Sequence, residues 1–357
     1  MRNLVDILDL SCEEIDRLVR RAEDIKQYPD RYKEVCRGKI LATLFFEPST
    51  RTRLSFASAM MSLGGNVLGF EQAGSTSVTK GETVSDTIRM VAAYSDIISM
   101  RHPNEGAPIV ASEVSRVPVI NAGDGGHFHP TQTLTDLFSI KEKLGRFDHL
   151  TVGLCGDLKY GRTVHSLISA MARYEGVRFV LISPAELKLP DYVKEEFLQG
   201  IDFVECESLE DAIPELDILY MTRIQGERFA DRDEYERLKD SYILRRALLE
   251  RAKPTLSVMH PLPRVNEIDV DVDTDPRAHY FDQAEGGRYI RMALILMLLD
   301  KADGNPESRL CGEENPALRC SNPHCITRTE RGIKKLFVGQ RCAYCDQTAS
   351  ARSNLRP

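Results

Sequence analysis

The stretch Phe45-Phe46-Glu47-Pro48-Ser49-Thr50-Arg51-Thr52-Arg53 decides how this chain is interpreted. It ends an apolar segment that predicts a buried strand over 39–46, and it opens a segment that predicts an amphipathic helix over 54–63. Hydroxyl and guanidinium groups therefore crowd the first helical turn, where backbone N–H groups lack partners and the helix dipole is positive. Such a place fits a phosphate or a similar dianion. The simpler interpretation is a capping Ser or Thr beside two solvated arginines.

The length and charge of the chain limit what it can be. At 357 residues it is long enough for two domains and a small addition. A net charge of −7 argues against a general nucleic-acid binder. No apolar run reaches bilayer length and the start has no signal-peptide layout, so we expect a soluble, cytoplasmic protein with no membrane partner. An anionic substrate would then need a local cluster of basic side chains.

Apolar runs alternate with helical patterns in two series. The first series predicts strands at 39–46, 66–70, 96–100 and 117–121, with helices at 54–63, 82–94, 107–115 and 130–144. The second predicts strands at 151–155, 178–182, 202–205, 218–222 and 255–259, with helices at 163–174, 191–199 and 209–213. Alternation of this kind is typical of parallel sheets with helices on both faces. The expected fold class is therefore α/β, with two doubly wound parallel-sheet domains in tandem.

Polar motifs follow five of these predicted strands, and each is a weak signal alone. They are Arg101-His102-Pro103, the run from Gly123 through His129-Pro130-Thr131-Gln132, Gly156 to Thr163, Arg223-Ile224-Gln225 and His260-Pro261-Leu262-Pro263-Arg264. A Gly-rich turn is usually only a turn, and a His before a Pro is usually a packed side chain. Ligands of doubly wound sheets bind at the carboxyl ends of the strands, so the coincidence of all five motifs with strand ends predicts a site there.

The composition changes after residue 303. Residues 304–357 contain nine Lys and Arg against five Asp and Glu, and the pairs Cys320-x₄-Cys325 and Cys342-x₂-Cys345. This spacing predicts a structural zinc site of four cysteines, one ion per chain. The alternative, redox-active or disulfide-bonded turns, is disfavoured in the cytoplasm. About fifty residues can hardly build their own core, so a metal would supply much of the folding energy. Cys311 and His324 are interpreted as non-ligands.

The motifs Ser49-Thr50-Arg51-Thr52-Arg53, His129-Pro130-Thr131-Gln132 and His260-Pro261-Leu262-Pro263-Arg264 together resemble those of the carbamoyltransferases. Within that family, residues 1–303 look like an aspartate carbamoyltransferase catalytic chain. The resemblance implies a carbamoyl-phosphate-binding domain at 1–133, completed by a returning helix at 286–303, and an aspartate-binding domain at 134–285. Residues 304–357 resemble the zinc-binding half of the regulatory chain, fused here to the catalytic chain without the nucleotide-binding half.

The resemblance also implies a reaction and its residues. The carbamoyl group of carbamoyl phosphate would pass to the amino group of L-aspartate, giving N-carbamoyl-L-aspartate for pyrimidine biosynthesis without a catalytic metal or organic cofactor. The residues expected to bind carbamoyl phosphate are Ser49, Thr50, Arg51, Thr52, Arg101, His129, Gln132, Leu262 and Pro263. Of these, Thr52, Arg101 and His129 would polarise the carbonyl oxygen, and the Leu262–Pro263 bond would be cis. The residues expected to bind aspartate are Lys80, Arg162, Arg223 and Gln225.

In this family the loop that here carries Ser77 and Lys80 reaches the neighbouring subunit's site, which implies a homotrimer with shared active sites. A higher assembly through the zinc module is a further expectation. For this loop the simpler interpretation is a solvated segment with a capping Ser.

Three other interpretations of the chain are open. Ornithine carbamoyltransferases typically carry a Cys in the turn that here reads His260-Pro261-Leu262-Pro263, and an Asp and a Ser-Met-Gly segment for the cationic amino acid. This chain has the carboxylate-matched Arg162 and Arg223 instead. A zinc ribbon that binds nucleic acid is disfavoured by the acidic background. A non-catalytic scaffold on the same fold is disfavoured because the charged site residues are all present.

Overall fold

The computed structural model describes residues 2–72, 74, 77–224, 231–300 and 308–351, without the side chains of 77, 78 and 234. Contacts between Cα atoms divide the chain into two compact units. The first unit takes the described residues of 1–10, 20–131 and 291–357, and the second takes 11–19 and 132–290. Within the described part of the chain, no helix is both long and apolar enough to cross a membrane.

The first unit contains a parallel four-stranded sheet with the order β2-β1-β3-β4. The strands are β1 (Ile40–Phe45), β2 (Asn66–Phe70), β3 (Ile97–His102) and β4 (Val119–Asp124). Strands β3 and β4 are buried along their whole length, as expected for a parallel sheet covered on both faces. The predicted parallel sheet is confirmed. The polar ends of β3 and β4 were predicted as loops, but they continue the strands because their side chains find partners inside the unit.

Helices flank this sheet. They are α1 (Cys12–Gln27), which contributes to both units, α2 (Thr50–Ser62), α3 (Val84–Val91) and α4 (Ala107–Val114). Helix α5 (Pro130–Leu144) begins in the first unit and belongs to the second from Gln132 onward. Helix α2 begins four residues before its predicted start at 54, because Ser49 has a non-helical backbone and the polar residues after it form the first turn. The helix ends at Ser62, and Gly64 follows two residues later with φ of +82°; an added Cβ there would lie 2.2 Å from the Lys33 carbonyl oxygen, so only glycine fits.

The second unit contains a parallel five-stranded sheet with the order β7-β6-β5-β8-β9, a doubly wound arrangement. Its strands are β5 (Thr151–Cys155), β6 (Arg178–Ile182), β7 (Asp202–Cys206), β8 (Ile218–Met221) and β9 (Ser257–Met259). Its helices are α6 (Arg162–Met171), α7 (Asp191–Phe197), α8 (Leu209–Ala212), α9 (Arg232–Leu238) and α10 (Arg246–Leu249).

Helix α11 (Tyr280–Asp300) follows, and its residues from Arg291 onward belong to the first unit. The returning helix was predicted from residue 286, but it begins six residues earlier and runs through Gly286 and Gly287. An added Cβ at Gly286 would lie 2.9 Å from the Phe138 ring, so this glycine allows a close approach of two helices rather than ending one.

The cysteine-rich tail folds into a small module, residues 308–351. Its elements are β10 (Glu313–Glu314), β11 (Leu318–Cys320), α12 (Ile326–Thr329), β12 (Leu336–Val338), β13 (Arg341–Cys342) and β14 (Ala349–Ala351). Two antiparallel sheets, β10-β12-β13 and β11-β14, make up this cysteine module. Its buried side chains Ile326, Phe337 and Tyr344 join the apolar cluster that contains Ile109 and Val110 of α4. The cysteine module therefore packs within the first unit of its own chain.

Candidate active site

The two sheets each have a switch point, where neighbouring strands continue in opposite directions across the sheet. In the first unit it lies between β1 and β3, and in the second between β5 and β8. Ligands of such sheets bind at the carboxyl ends of these strands. The predicted site residues Ser49 to Arg53 follow β1 and Arg101 lies near the end of β3, while Arg162 and Arg223 follow β5 and β8.

The start of α2 presents a donor-rich turn. Ser49 is the N-cap residue, but its side chain makes no capping hydrogen bond. Instead its hydroxyl donates to Thr52 Oγ1 at 3.1 Å. Thr50 and Arg51 are exposed and Thr52 is half-buried. The N–H groups of the first turn are therefore not capped by Ser49, and an anion is a suitable partner for them.

Arg101 brings a second guanidinium to this turn. It is 9% exposed, and its Nη2 donates to Glu47 Oε1 at 3.1 Å and its Nη1 to the Ala122 carbonyl at 3.5 Å. Its Nε is buried and has no hydrogen-bond partner among the described residues. Desolvation and the positive charge of Arg101 lower the pKa of Arg51. The two cations are thus close enough to repel each other, and a bound dianion would relieve this repulsion.

His129 lies at the end of the loop between β4 and α5. The residue is buried, and its Nδ1 lies 3.4 Å from Thr131 Oγ1. Pro130 follows it as the first residue of α5, a position that suits proline. A buried imidazole beside a helix start can act as a hydrogen-bond donor at a fixed place.

Gln132 is oriented by a buried carboxylate in the second unit. Its Nε2 donates to Asp136 Oδ1 at 2.7 Å, and Gln283 Nε2 donates to the same oxygen at 2.6 Å. The Tyr220 hydroxyl donates to Asp136 Oδ2 at 3.0 Å, and burial together with the Asp136 charge raises the pKa of Tyr220 well above its usual value. The amide nitrogen of Gln132 is therefore engaged, which directs its carbonyl oxygen elsewhere.

The turn after β9 is held by a histidine and a glutamate. The Leu262–Pro263 peptide bond is cis, as the resemblance predicts. The Leu262 N–H donates to His260 Nδ1 at 2.7 Å, so Nε2 of His260 carries the proton and lies 2.7 Å from Glu267 Oε1. Burial opposes ionisation of Glu267, but the hydrogen bonds that its carboxylate accepts from His260 and from the Val265 N–H outweigh it and lower the Glu267 pKa. Arg264 forms an ion pair with Asp273.

The remaining predicted residues are those expected to bind aspartate or to reach a neighbouring subunit, and the structure describes only some of them. Arg162 is the first residue of α6 and Arg223 follows β8, and both are half-buried. Lys80 is exposed at the end of a short 3₁₀ helix, Ser77–Lys80. Gln225 and the side chain of Ser77 lie outside the described part of the chain.

The sequence did not single out the carboxylates that hold these groups, namely Glu47, Asp136 and Glu267. Glu47 lies inside the opening motif, and its charge between apolar and basic residues was a usable signal. Asp136 follows Gln132 by four residues on a predicted helix, a spacing that places both on one face. No comparable local signal identifies Glu267, because its partner His260 lies seven residues away across the turn after β9.

The four predicted metal ligands lie together in the cysteine module. The Sγ atoms of Cys320, Cys325, Cys342 and Cys345 are all within 4.8 Å of one another, and all four residues are buried. The Cys320–Cys345 and Cys325–Cys342 pairs have Sγ atoms 3.4 and 3.7 Å apart. A tetrahedral ion with metal–sulfur bonds of about 2.3 Å needs Sγ separations of about 3.8 Å, so this donor set could hold a metal such as zinc. Cys311 and His324 are exposed and lie outside the cluster.

Comparisons with known proteins identify the family of this chain. Residues 2–142 match the model of the aspartate/ornithine carbamoyltransferase carbamoyl-P binding domain, and residues 148–298 match that of the Asp/Orn binding domain. The chain is 61% identical over 302 residues to the aspartate carbamoyltransferase catalytic subunit of Lachnoclostridium phytofermentans, covering 84% of this chain and 98% of the relative. It is 59% identical over 300 residues to that of Clostridium novyi, covering 84% and 98%.

Solved structures give the same result. The catalytic subunit of M. jannaschii aspartate transcarbamoylase superposes with a TM-score of 0.79 at 48% identity, covering 84% of this chain and 99% of that one. The Trypanosoma cruzi enzyme in complex with carbamoyl phosphate and aspartate superposes with a TM-score of 0.78 at 37% identity, covering 82% and 95%. The matched family ranges end at residue 298, before the cysteine module. This chain belongs to the aspartate/ornithine carbamoyltransferase family, among the aspartate carbamoyltransferase catalytic subunits.

Proposed function

We propose that this chain transfers the carbamoyl group of carbamoyl phosphate to the amino group of L-aspartate, giving N-carbamoyl-L-aspartate and phosphate for pyrimidine biosynthesis. The observation that carries the proposal is the placement of Ser49 to Arg53 and of Arg101 at the switch point of the first sheet. Relatives at 56–61% identity that are named aspartate carbamoyltransferase catalytic subunits support it.

The reaction needs positioning and charge stabilisation. The amine nitrogen of aspartate attacks the carbonyl carbon and the new C–N bond forms. The C–O bond to phosphate then breaks, and the proton lost by the amine passes to the departing phosphate. In our proposal Ser49, Thr50 and Arg51 hold the phosphate. Donors from Thr52, Arg101 and His129 stabilise the negative charge that develops on the carbonyl oxygen. The unpartnered Nε of Arg101 supports this role.

The carbamoyl NH₂ group needs acceptors. We assign these to Gln132 and to the backbone carbonyls of Leu262 and Pro263. The Asp136 bond that engages the amide nitrogen of Gln132 supports this assignment, because it leaves the amide oxygen to accept. Neither role calls for an organic cofactor or a catalytic metal.

We assign the acceptor substrate to the second unit. Arg162 and Arg223 follow the two strands that flank its switch point, and planar guanidinium groups recognise carboxylates with two hydrogen bonds. Gln225 and Lys80 complete this set in the proposal. Two cationic forks suit a dicarboxylate such as aspartate and repel the side chain of ornithine.

An acceptor comparison tests the function. Phosphate release from carbamoyl phosphate is measured with aspartate and with ornithine at equal concentrations. We expect turnover with aspartate that exceeds turnover with ornithine by at least 10³-fold, since a site built for a carboxylate rejects a cation strongly. Preference for ornithine would reassign the substrate. A folded, metal-loaded protein without turnover on either acceptor would favour the scaffold interpretation.

We further propose a homotrimer in which Ser77 and Lys80 serve the neighbouring subunit's site, a structural zinc ion on the four cysteines, and a cytoplasmic location. We also propose that residues 1–133 form the carbamoyl-phosphate-binding domain, 134–285 the aspartate-binding domain and 304–357 the zinc-binding module. In this proposal the module derives from the zinc-binding part of a regulatory chain. The close approach of the four Sγ atoms supports the metal. Zinc analysis of the purified protein tests it, with one ion per chain as the expected result.

A further inference from the structure

Glu105, between β3 and α4, joins the cysteine module to the rest of the first unit. Its backbone pairs with the Cys320-x₄-Cys325 loop, since the Glu105 N–H donates to the His324 carbonyl at 3.0 Å and the Ile326 N–H donates to the Glu105 carbonyl at 2.9 Å. Its carboxylate accepts from Asn322 Nδ2 at 2.5 Å and from the Gly126 N–H at 3.1 Å. One residue thus connects the loop between two predicted metal ligands to the loop between β4 and α5.

His127 makes a second connection from the β4–α5 loop. Its side chain is 9% exposed, with Nδ1 3.1 Å from Asp124 Oδ2 and Nε2 3.0 Å from Asp346 Oδ2. Asp124, at the end of β4, is fully buried and also accepts from the Gly106 N–H at 2.9 Å and the Phe128 N–H at 3.0 Å. Asp346 directly follows Cys345. The imidazole therefore bridges the end of a sheet strand and a residue adjacent to a predicted metal ligand.

The backbone of Asp346 suggests that this carboxylate is required. Its φ is +58°, in the left-handed region that glycine adopts without penalty and that Asp tolerates only moderately well. A glycine would fold more easily there but could not reach His127. The cysteine module also packs closely against the residue before α4, since an added Cβ at Gly106 would lie 2.5 Å from the Tyr344 carbonyl oxygen.

The β4–α5 loop has reason to need such support. It contains Gly125 and Gly126, which carry the largest conformational freedom of any residues, and it ends at His129. Gly126 is held through Glu105 and His127 through Asp346, so two of the four residues between Asp124 and His129 bind to groups that touch the cysteine module. A misplacement of about 1 Å in a catalytic group lowers turnover by up to about 10²-fold.

We propose that the cysteine module is a positioning element for His129, acting through the Glu105 and His127 contacts on the loop between β4 and α5. The inference rests on the proposed function, in which His129 polarises the carbonyl oxygen. His127, Glu105 and Asp346 are positioning residues because they act through the loop and do not touch substrate. If the contacts served only to attach the module, removing one of them would leave the loop and turnover unchanged.

The test uses the full-length chain and Asp346→Asn. Asn also tolerates a positive φ, so the module's backbone is kept while the carboxylate is lost. The control is Glu313→Gln, which removes one negative charge from an exposed position of the same module. For each protein we measure zinc per chain, hydrogen exchange of the amides at 125–128, and kcat and KM for carbamoyl phosphate.

We expect Asp346→Asn to retain its zinc, to exchange its loop amides about tenfold faster than the control, and to lower kcat about tenfold with a smaller change in KM. Unchanged loop exchange and unchanged kcat at full zinc content would overturn the proposal. If Asp346→Asn loses zinc, His127→Ala gives the same readouts from outside the module.

A double variant, His127→Ala with Asp346→Asn, checks the route. Because both residues act through the His127–Asp346 contact, we expect the double variant to show no more loop exchange or loss of kcat than His127→Ala alone. Fully additive effects would show that the two residues act independently and would contradict the proposed coupling. The exchange measurement needs no turnover. A wild-type protein that fails to transfer carbamoyl groups would therefore refute the proposed function while the loop coupling is still decided.

Discussion

At the scale of single residues, Arg51 and Arg101 form a cluster of positive charge that the protein itself only partly neutralises. Glu47 accepts one hydrogen bond from Arg101, yet the buried Nε of Arg101 has no partner among the described residues. Arg51 is affected strongly enough by desolvation and by Arg101 that its pKa falls. These two guanidinium groups therefore gain from an anion in a way that solvated surface arginines do not.

Replacing Arg51 by Ala should weaken carbamoyl phosphate binding by about 100-fold. Hydrogen bonds to charged groups contribute about 1.5–3 kcal/mol each, and tenfold in affinity corresponds to about 1.4 kcal/mol. Isothermal titration calorimetry with carbamoyl phosphate measures the change. Arg37→Ala, at an exposed arginine paired with Glu34, is the control and should bind normally. Equal affinity in the two variants would remove Arg51 from the site.

His129→Ala should act on turnover rather than on binding. Loss of one donor to a developing oxyanion lowers kcat by about 10²–10³-fold. Phosphate binding should change little, because in our proposal the imidazole serves the carbonyl oxygen and not the phosphate. Steady-state kinetics with aspartate and phosphate titration by calorimetry separate the two effects. Turnover close to that of the wild type would show that His129 has no catalytic role.

His102 should make the first unit sensitive to mild acid. Desolvation lowers its pKa from 6.5 to about 4, although the charge of Asp124 opposes the shift. On acidification the unfolded chain binds this proton near pH 6.5 and the folded chain only near pH 4, so stability falls as the pH drops across that window. The loss amounts to about 3 kcal/mol, at about 1.4 kcal/mol per pH unit.

Urea unfolding at a series of pH values measures this effect. His102→Gln cannot titrate in that range, so its free energy of unfolding should depend less on pH between 6.5 and 4 than that of the wild type. The comparison uses slopes, because the substitution also changes stability at every pH. Identical slopes in both proteins would assign the acid sensitivity to other groups.

At the scale of elements, predictability follows the range of the interactions involved. Strands 66–70, 151–155 and 178–182 were predicted with the observed bounds because short apolar runs between turns are local signals. The starts of α2 and α11 were placed four and six residues too late, since the polar first turn of α2 and the Gly286-Gly287 pair near the start of α11 resemble loop sequence.

The same distinction applies to the site. Which basic residues follow which strands could be predicted, because strand ends are readable from the sequence. The carboxylates that orient site residues could not be predicted in the same way, because their contacts join distant parts of the chain. Asp136 accepts from Gln132 and also from Gln283, which is 147 positions away. The seat of the cysteine module joins Glu105 to Asn322, 217 positions away, and had no sequence signal.

Gly106→Ala should loosen the seat of the cysteine module. Gly106 has φ of +83° and would place its Cβ 2.5 Å from the Tyr344 carbonyl oxygen. Gly38→Ala is a matched control, with φ of +79° and no atom within 4 Å of the added Cβ. A left-handed backbone costs either alanine roughly 1–2 kcal/mol, so the difference between the variants isolates the clash.

Hydrogen exchange of the Ile326 amide, which bonds to the Glu105 carbonyl, measures the effect directly. We expect faster exchange in Gly106→Ala than in Gly38→Ala, together with a lower free energy of unfolding. Equal exchange would mean that the module can shift to accommodate a methyl group without losing its contacts.

At the scale of the whole molecule, the first unit exposes several large apolar side chains. Leu54 and Met61 of α2 are more than half exposed, as are Met90 of α3 and the nearby Tyr94. Such side chains offer a surface for the neighbouring chain of the homotrimer that we propose. Lys80, exposed on its short 3₁₀ helix, fits our proposal that it contributes to a neighbouring subunit's site.

Mixing two inactive variants tests this sharing. If each site takes Arg51 from one chain and Lys80 from its neighbour, then trimers formed from Arg51→Ala and Lys80→Ala chains contain some sites with neither substitution. In a closed heterologous trimer assembled at random from equal amounts, one site in four is complete, so activity should recover to about a quarter of the wild-type value. Differently tagged chains confirm that mixing occurred. Proven mixed trimers without recovery would mean that each chain supplies its own Lys80.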